Sequence, residues 1–179
     1  MRHVVVTEFD PAWKAQYAAE AAVIQEILGE NCAAVYHIGS TAVPGLAAKP
    51  IVDILPVVRD ITAVDAVNPR FAAAGYEAMG EYGIPGRRYF RKGWGDDETV
   101  HVHVFGQGST GEIRRHLAVR DFLRTHPADA AAYGKLKIRL ARQFEWDIEA
   151  YCDSKDAFVK ELERRAMAWA SQSPGKGEA

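Results

Sequence analysis

Apolar residues recur at Trp13, Tyr17, Ala21, Ile24 and Leu28, and this near-3.6 period predicts a helix with one buried face. Asp10-Pro11 opens it, with Asp as N-cap and Pro at the first helical position, and Gly29 closes it. The β-branched residues 3–7 ahead of it read as a short strand or an extended arm. Residues 33–38 and 50–58 are nearly unbroken apolar runs, the pattern of strands covered on both faces. Residues 61–74 predict a helix interrupted at Asn68-Pro69 and ended by Gly75. Two further strands are expected at 88–91 and 99–105. The second alternates: His101, His103 and Phe105 take one face, and Val100, Val102 and Val104 the other.

After Gly106-Gln107-Gly108 the period changes and no further strand is expected. Helices are predicted at 112–124, 128–145 and 154–170, with Thr125-His126-Pro127 as a break. Tyr133, Leu136, Leu140 and Phe144 form one apolar stripe; Phe158, Leu162 and Trp169 form another. Residues 171–179 read as a frayed polar tail. The expectation is an α/β (α+β) fold, a mixed β-sheet flanked by helices with a C-terminal helical extension. It is read as one domain over 1–170, with the sheet core at about 3–105 and the helical part at about 112–170.

Composition narrows the class. Of 179 residues, 48% are hydrophobic and 26% charged, the profile of an ordinary globular chain, which excludes disorder, collagen and coiled coil for its bulk. A formal net charge of −2 provides no global basic field, so nucleic acid is not an expected partner. Cys32 and Cys152 lie far apart with no zinc spacing, and both are expected as buried thiols, as Trp13, Trp146 and Trp169 are expected in packing. No signal peptide or membrane-length apolar run is evident, so a cytoplasmic protein without membrane contact is expected.

Candidate chemistry concentrates between His37 and Asp53. A strand ends in Gly39-Ser40-Thr41, small residues follow, and a second strand carries one carboxylate. Gly39 lets backbone approach a ligand, Ser40 and Thr41 offer hydroxyls and amides to phosphate oxygens, and Lys49 could add a point charge. Asp53 could hold a metal that bridges those oxygens. No G-K-[ST] closes the loop, which disfavours a P-loop enzyme. The plain alternative is a turn with an N-cap. His101 and His103 share a strand face, so with Asp53 they could form a two-His, one-carboxylate metal set. Phosphate binding, or hydrogen bonding within the sheet, is the alternative for both. His37 is either a third nitrogen ligand or a cap on the sheet edge. Eight Lys and Arg between Arg114 and Arg142 face two Asp, and Arg87, Arg88, Arg91 and Lys92 form a second cluster. Arg120 and Lys137 are the expected phosphate contacts. Arg120-Asp121 could equally be a structural ion pair, and Arg114, Arg115, Arg139 and Arg142 a solvated helix face.

The string HIGSTAVPGLAAKPIVDI at 37–54 resembles the signature of the GrpB family of small bacterial proteins. The likeness extends over roughly 3–170 through Tyr89-Phe90-Arg91-Lys92, His101-Val102-His103-Val104 and Arg120-Asp121-Phe122-Leu123-Arg124. It also includes Tyr133 with Leu136-Lys137, and Tyr151 with Lys155. The resemblance implies the nucleotidyltransferase superfamily, whose second strand carries two carboxylates as [DE]-x-[DE]. Here Asp53 falls at the second place and Ile51 occupies the first. A similar domain is fused to dephospho-CoA kinase in some actinobacteria, which implies a link to coenzyme A metabolism. The leading expectation is an enzyme of nucleotidyltransferase fold acting on a nucleotide or other phosphorylated small molecule. In it Gly39, Ser40, Thr41, Lys49, Arg120 and Lys137 bind phosphate. Asp53, His101 and His103 hold a divalent ion, Mg²⁺, Mn²⁺ or Zn²⁺, and Asp53 is catalytic. The alternatives are a metal-dependent hydrolase using the same Asp/His/His set, and a nucleotide- or CoA-binding module without catalysis.

Overall fold

The computed structural model describes residues 3–172, which form two compact units. A sheet unit comprises residues 11–38 and 51–113; a helical unit comprises residues 3–10, 39–50 and 114–172.

In the sheet unit the elements run α1 (Ala12–Leu28), β1 (Cys32–Ile38), β2 (Val52–Val58), α2 (Asn68–Ala73), β3 (Tyr76–Ala78), β4 (Arg88–Lys92) and β5 (Val100–Gly106). The five strands form one sheet in the order β1-β2-β5-β4-β3. It is mixed: β2 and β5 run parallel, while β1, β4 and β3 pair antiparallel with their neighbours. The expected mixed sheet flanked by helices is therefore present. Beside the alternating β5, the apolar run of β2 takes an interior position. β1 reads much the same in sequence, yet it lies at the edge.

Because side chains alternate along a strand, the register sorts residues onto two faces. Ile38, Asp53, His101 and Arg91 lie in one row across four strands, with His103 beside Tyr89 in the next. On the opposite face Val52, Ile54, Val100, Val102, Val104 and Phe90 are buried. That face is covered by the first two helices. Tyr17 of α1 stacks on His37, and Phe71 of α2 stacks on Phe90 with ring centroids 4.0 Å apart. Glu20 of α1 reaches over the same face to Lys92 at 2.8 Å. Arg70 closes the helical end by donating to the carbonyls of Ile27 and Glu26. His37 thus faces away from Asp53 and packs, which removes it as a third nitrogen ligand.

The expected helix at 61–74 is a 3₁₀ segment, Thr62–Val67, that turns into α2 at Asn68-Pro69. Helix α1 begins one residue late, with Pro11 in the cap position. β3 is an element the period did not predict.

The helical unit holds α3 (Thr110–Thr125, whose first turn belongs to the sheet unit), α4 (Pro127–Gln143) and α5 (Ile148–Gln172). The two apolar stripes enter two separate clusters, the first stripe being divided between them. Phe122, Leu123, Tyr133, Leu162 and Ala166 share a core with Val43 and Leu46 of the 39–50 segment. A second cluster joins Val4, Leu140, Ala141 and Tyr151. Residues 3–7 form no strand among the described residues; the arm makes one antiparallel bridge, Thr7 to Ala48. Three expectations change. Neither cysteine is buried, Cys152 being exposed and Cys32 partly exposed; Trp146 is half exposed and stacks on His3; and α5 continues through residues 171 and 172. The remainder of the expected tail, 173–179, lies outside the described residues. No helix among them is long and apolar enough to cross a membrane.

Candidate functional site

In the sheet unit, Asp53 Oδ1 is the hub of a cluster on the face opposite α1. His103 Nε2 lies 3.1 Å from it and His101 Nδ1 3.6 Å. Strand pairing brings these residues together, since Asp53 and His101 are register partners and His103 follows two residues on. Glu98, just before β5, is a buried carboxylate that accepts from His101 Nε2 at 3.0 Å. A tight turn carries it there: Gly93 has φ +86°, and a Cβ on it would fall 2.0 Å from the Asp97 carbonyl oxygen. Only glycine fits that corner.

Arg87 decides the state of His103. Its guanidinium lies 3.2 Å from His103 Nδ1 and can only donate, so Nδ1 accepts and the ring proton sits on Nε2, facing Asp53. Arg87 is 6% exposed, and it also donates to the carbonyls of Glu81 and Tyr82. The Tyr89 ring meets His103 edge-on with ring centroids 5.2 Å apart, and lies 5.5 Å from His101. Burial, followed by the charges of Asp53 and Glu98, pushes the Tyr89 phenol up, so it stays neutral.

The charges follow from this geometry. Burial works to raise the pKa of Asp53, but the two imidazoles outweigh it and hold the carboxyl far below the usual range. Burial likewise opposes a charge on His101, and Asp53 and Glu98 on either side overcome it, raising its pKa. Both imidazoles address Oδ1, and no described residue gives Oδ2 of Asp53, a side chain 28% exposed, a hydrogen bond.

These donors fit a metal in part. Asp53 and Nδ1 of His101 could ligate one, with Glu98 holding the other nitrogen as outer-shell partners of metal-bound histidines do. His103 does not fit as it stands, because its Nε2 carries the proton that Arg87 imposes. Among the described residues no group of three or more His, Cys, Asp and Glu is arranged to hold a metal ion. Two protein ligands suit an ion that arrives with a phosphorylated substrate rather than one the protein retains alone.

In the helical unit the Gly39-Ser40-Thr41 segment forms a single 3₁₀ turn, Ser40–Ala42, entered through Gly39 at φ +71°. Lys137, 3% exposed on α4, donates to Ser40 Oγ at 2.8 Å. Arg124 of α3 donates to the Ala42 carbonyl at 2.8 Å. Burial and the neighbouring charge of Arg120 lower its pKa against the pull of Asp121. Thr41 is buried beside them. Arg120 is also buried and bonds Asp121 at 2.8 Å, the ion-pair geometry. The Lys49 ammonium lies over the Tyr151 ring, 6.0 Å from its centroid. Of the expected phosphate contacts, Ser40 and Lys137 are thus brought into direct contact.

Sequence reasoning missed Glu98 and Tyr89 as site residues, and counted Arg87 and Arg124 only as members of basic clusters. The Glu-x-x-His spacing before His101 and the basic run at 87–92 were the available signals. Their roles depend on strand register and on the turn at Gly93, which no local period encodes.

The chain is similar to known proteins. The family model described as GrpB protein matches residues 3–165. The UPF0157 protein YqkA of Bacillus subtilis (strain 168) is 42% identical over 168 residues, covering 94% of this chain and 48% of its own length. The chain therefore spans about half of that relative. The crystal structure of the conserved protein GrpB from Enterococcus faecalis superposes with a TM-score of 0.90 at 48% identity, covering 93% of this chain and 99% of that one. A dephospho-CoA kinase of Mycolicibacterium paratuberculosis (strain ATCC BAA-968 / K-10) is 28% identical over 191 residues, covering 93% of this chain and 47% of the kinase. With a match from residue 3 to residue 165 and this close structural likeness, the chain belongs to the GrpB family.

Proposed function

We propose that the protein is an enzyme of nucleotidyltransferase type whose substrate is a nucleotide or another phosphorylated small molecule. The observation that carries the reading is the contact of the buried Lys137 ammonium with Ser40 Oγ at 2.8 Å. A buried cation on a glycine-led turn of small residues is the arrangement that anion recognition uses. Gly39, Ser40, Thr41 and Lys137 take the phosphate, with Lys49 and Arg120 adding positive field. Asp53 is the catalytic carboxylate: ionised at every physiological pH and held at Oδ1, it presents Oδ2 to ligand or proton. Within the sheet unit, Asp53 and His101 are the residues that would hold a divalent ion, which when bound would supply charge neutralisation. A carboxylate and an imidazole suit Mn²⁺ or Zn²⁺ better than Mg²⁺, which prefers oxygen ligands. The metal-dependent hydrolase, which needs His103 as a third ligand, is disfavoured by the proton on its Nε2.

A second reading, a binding module without catalysis, is supported by Ile51. It is buried where the resemblance calls for a first carboxylate, so only one strand carboxylate is available. The dephospho-CoA kinase likeness supports coenzyme A or one of its precursors as the substrate in either reading.

Equilibrium titration with tripolyphosphate tests the phosphate assignment. Lys137→Met, which removes the charge while conserving bulk, should weaken binding about tenfold or more, since one charge-assisted hydrogen bond is worth about 1.5–3 kcal/mol. Equal affinity in wild type and Lys137→Met would sink the reading. Asp53→Asn separates the two functions: an enzyme loses divalent-dependent turnover of nucleotides, whereas a binding module has none to lose and keeps its tripolyphosphate affinity.

A further inference from the structure

We propose that Tyr82 is a stacking platform for the heteroaromatic ring of a nucleobase. Among the described residues Tyr82 is the one non-glycine with positive φ, at +45°. The other positive-φ positions of its loop, 80, 83 and 86, are all glycine. A bulky aromatic in that region is strained, and such strain persists only where the surroundings enforce it. The enforcement is visible: buried Arg87 grips the Tyr82 and Glu81 carbonyls while its other end addresses His103.

The strain is not compensated by burial, because Tyr82 remains 58% exposed. One face of its ring lies nearly parallel to Tyr89, with an interplanar angle of 7° and centroids 4.9 Å apart. Tyr89 in turn touches both site imidazoles. The chain therefore holds a flat ring on the edge of the Asp53 cluster, stacked on Tyr89 on one side and more than half exposed. A ring fixed in this way offers a pre-ordered surface for another flat ring, and base stacking on an aromatic side chain is tolerant of which base arrives. The sheet unit alone carries the inference, and it adds a ring-binding element that phosphate recognition does not require.

The test uses adenosine, which has the ring and no phosphate, titrated into the full chain and followed by NMR of labelled tyrosines. Wild type should bind, with the Tyr82 resonances shifting most. Tyr82→Ala should weaken adenosine about tenfold, whereas Tyr82→Trp should retain it. Trp94, also exposed but with its ring occupied by Arg91, is the control, and Trp94→Ala should leave the affinity unchanged. Tripolyphosphate affinity should be equal in all four proteins, so failure of the phosphate reading and failure of this one are separate results. Absence of adenosine binding to wild type, equal affinity in Tyr82→Ala, or an equal loss in Trp94→Ala would each overturn the assignment.

Discussion

Glu98 has partners of both kinds: Arg91 lies 3.6 Å from one of its oxygens, and His101 donates to the other at 3.0 Å. With Asp53 on its far side, His101 sits between two carboxylates and its pKa rises above the ordinary 6.5. By linkage, a raised folded-state pKa contributes stability that is full below the unfolded value and lost as pH climbs through the folded one. Asp53 has the opposite sign. Its contribution is full above the ordinary 3.8 and lost as pH falls through the depressed value. Both contributions therefore coexist between about 4 and 6.5. Glu98→Gln keeps the shape and an acceptor oxygen but removes one negative charge. His101 should then titrate at lower pH, and the alkaline decline of urea-measured stability should begin earlier. Proton NMR of the His101 ring, without added divalent ion, checks the first part. An unchanged midpoint would show that Asp53 alone sets the shift.

At the scale of elements, the β4–β5 connection delivers Glu98, and Gly93 is its corner. Gly93→Ala combines a positive φ with a Cβ that would sit 2.0 Å from a backbone oxygen, so the turn must open. Gly95→Ala, two residues on, has φ +59° but nothing within 4 Å of the added carbon. The second variant should lose about 1 kcal/mol, the ordinary backbone penalty, and the first about 1–3 kcal/mol beyond that. Only Gly93→Ala should also move the His101 titration, because only it displaces Glu98. Equal losses in urea denaturation would mean that the corner relaxes and the steric argument fails. The main elements were legible in the sequence. The 3.6 period of α1 and the alternation of β5 each depend on one buried face, and the pattern records that face directly. β3 was not legible, since the three residues of this strand are too few to display a period. The edge position of β1 was not legible either, because composition states that a strand is apolar and not how many neighbours it has. For the site, the period of two placed His101 and His103 on one face. What ties them into a cluster, Arg87 and Glu98, comes from register and turn geometry.

Across the whole molecule, chain order and spatial order diverge. The helical unit is assembled from three separate stretches and the sheet unit from two. Ser40 and Lys137, 97 residues apart, meet because the 39–50 segment is anchored among helices that follow much later. That anchoring is apolar. Val43 and Leu46 enter the core formed by Phe122, Tyr133 and Leu162, and Leu46 Cδ1 would lie 3.4 Å from a Cβ built at Gly134. Gly134 and Lys137 are one helical turn apart on α4, so the residue that lets Leu46 approach is on the same face as the residue that reaches Ser40. The sequence motif and its cation are thus positioned by a hydrophobic contact that touches no ligand. Leu46→Ala removes that contact from a fully packed site and should cost about 2–5 kcal/mol in denaturant unfolding. If the contact also fixes the turn, tripolyphosphate binding should weaken in the folded variant, while the His101 titration in the sheet unit stays as in wild type. A loss of stability with tripolyphosphate affinity intact would show that Lys137 alone holds Ser40 in place.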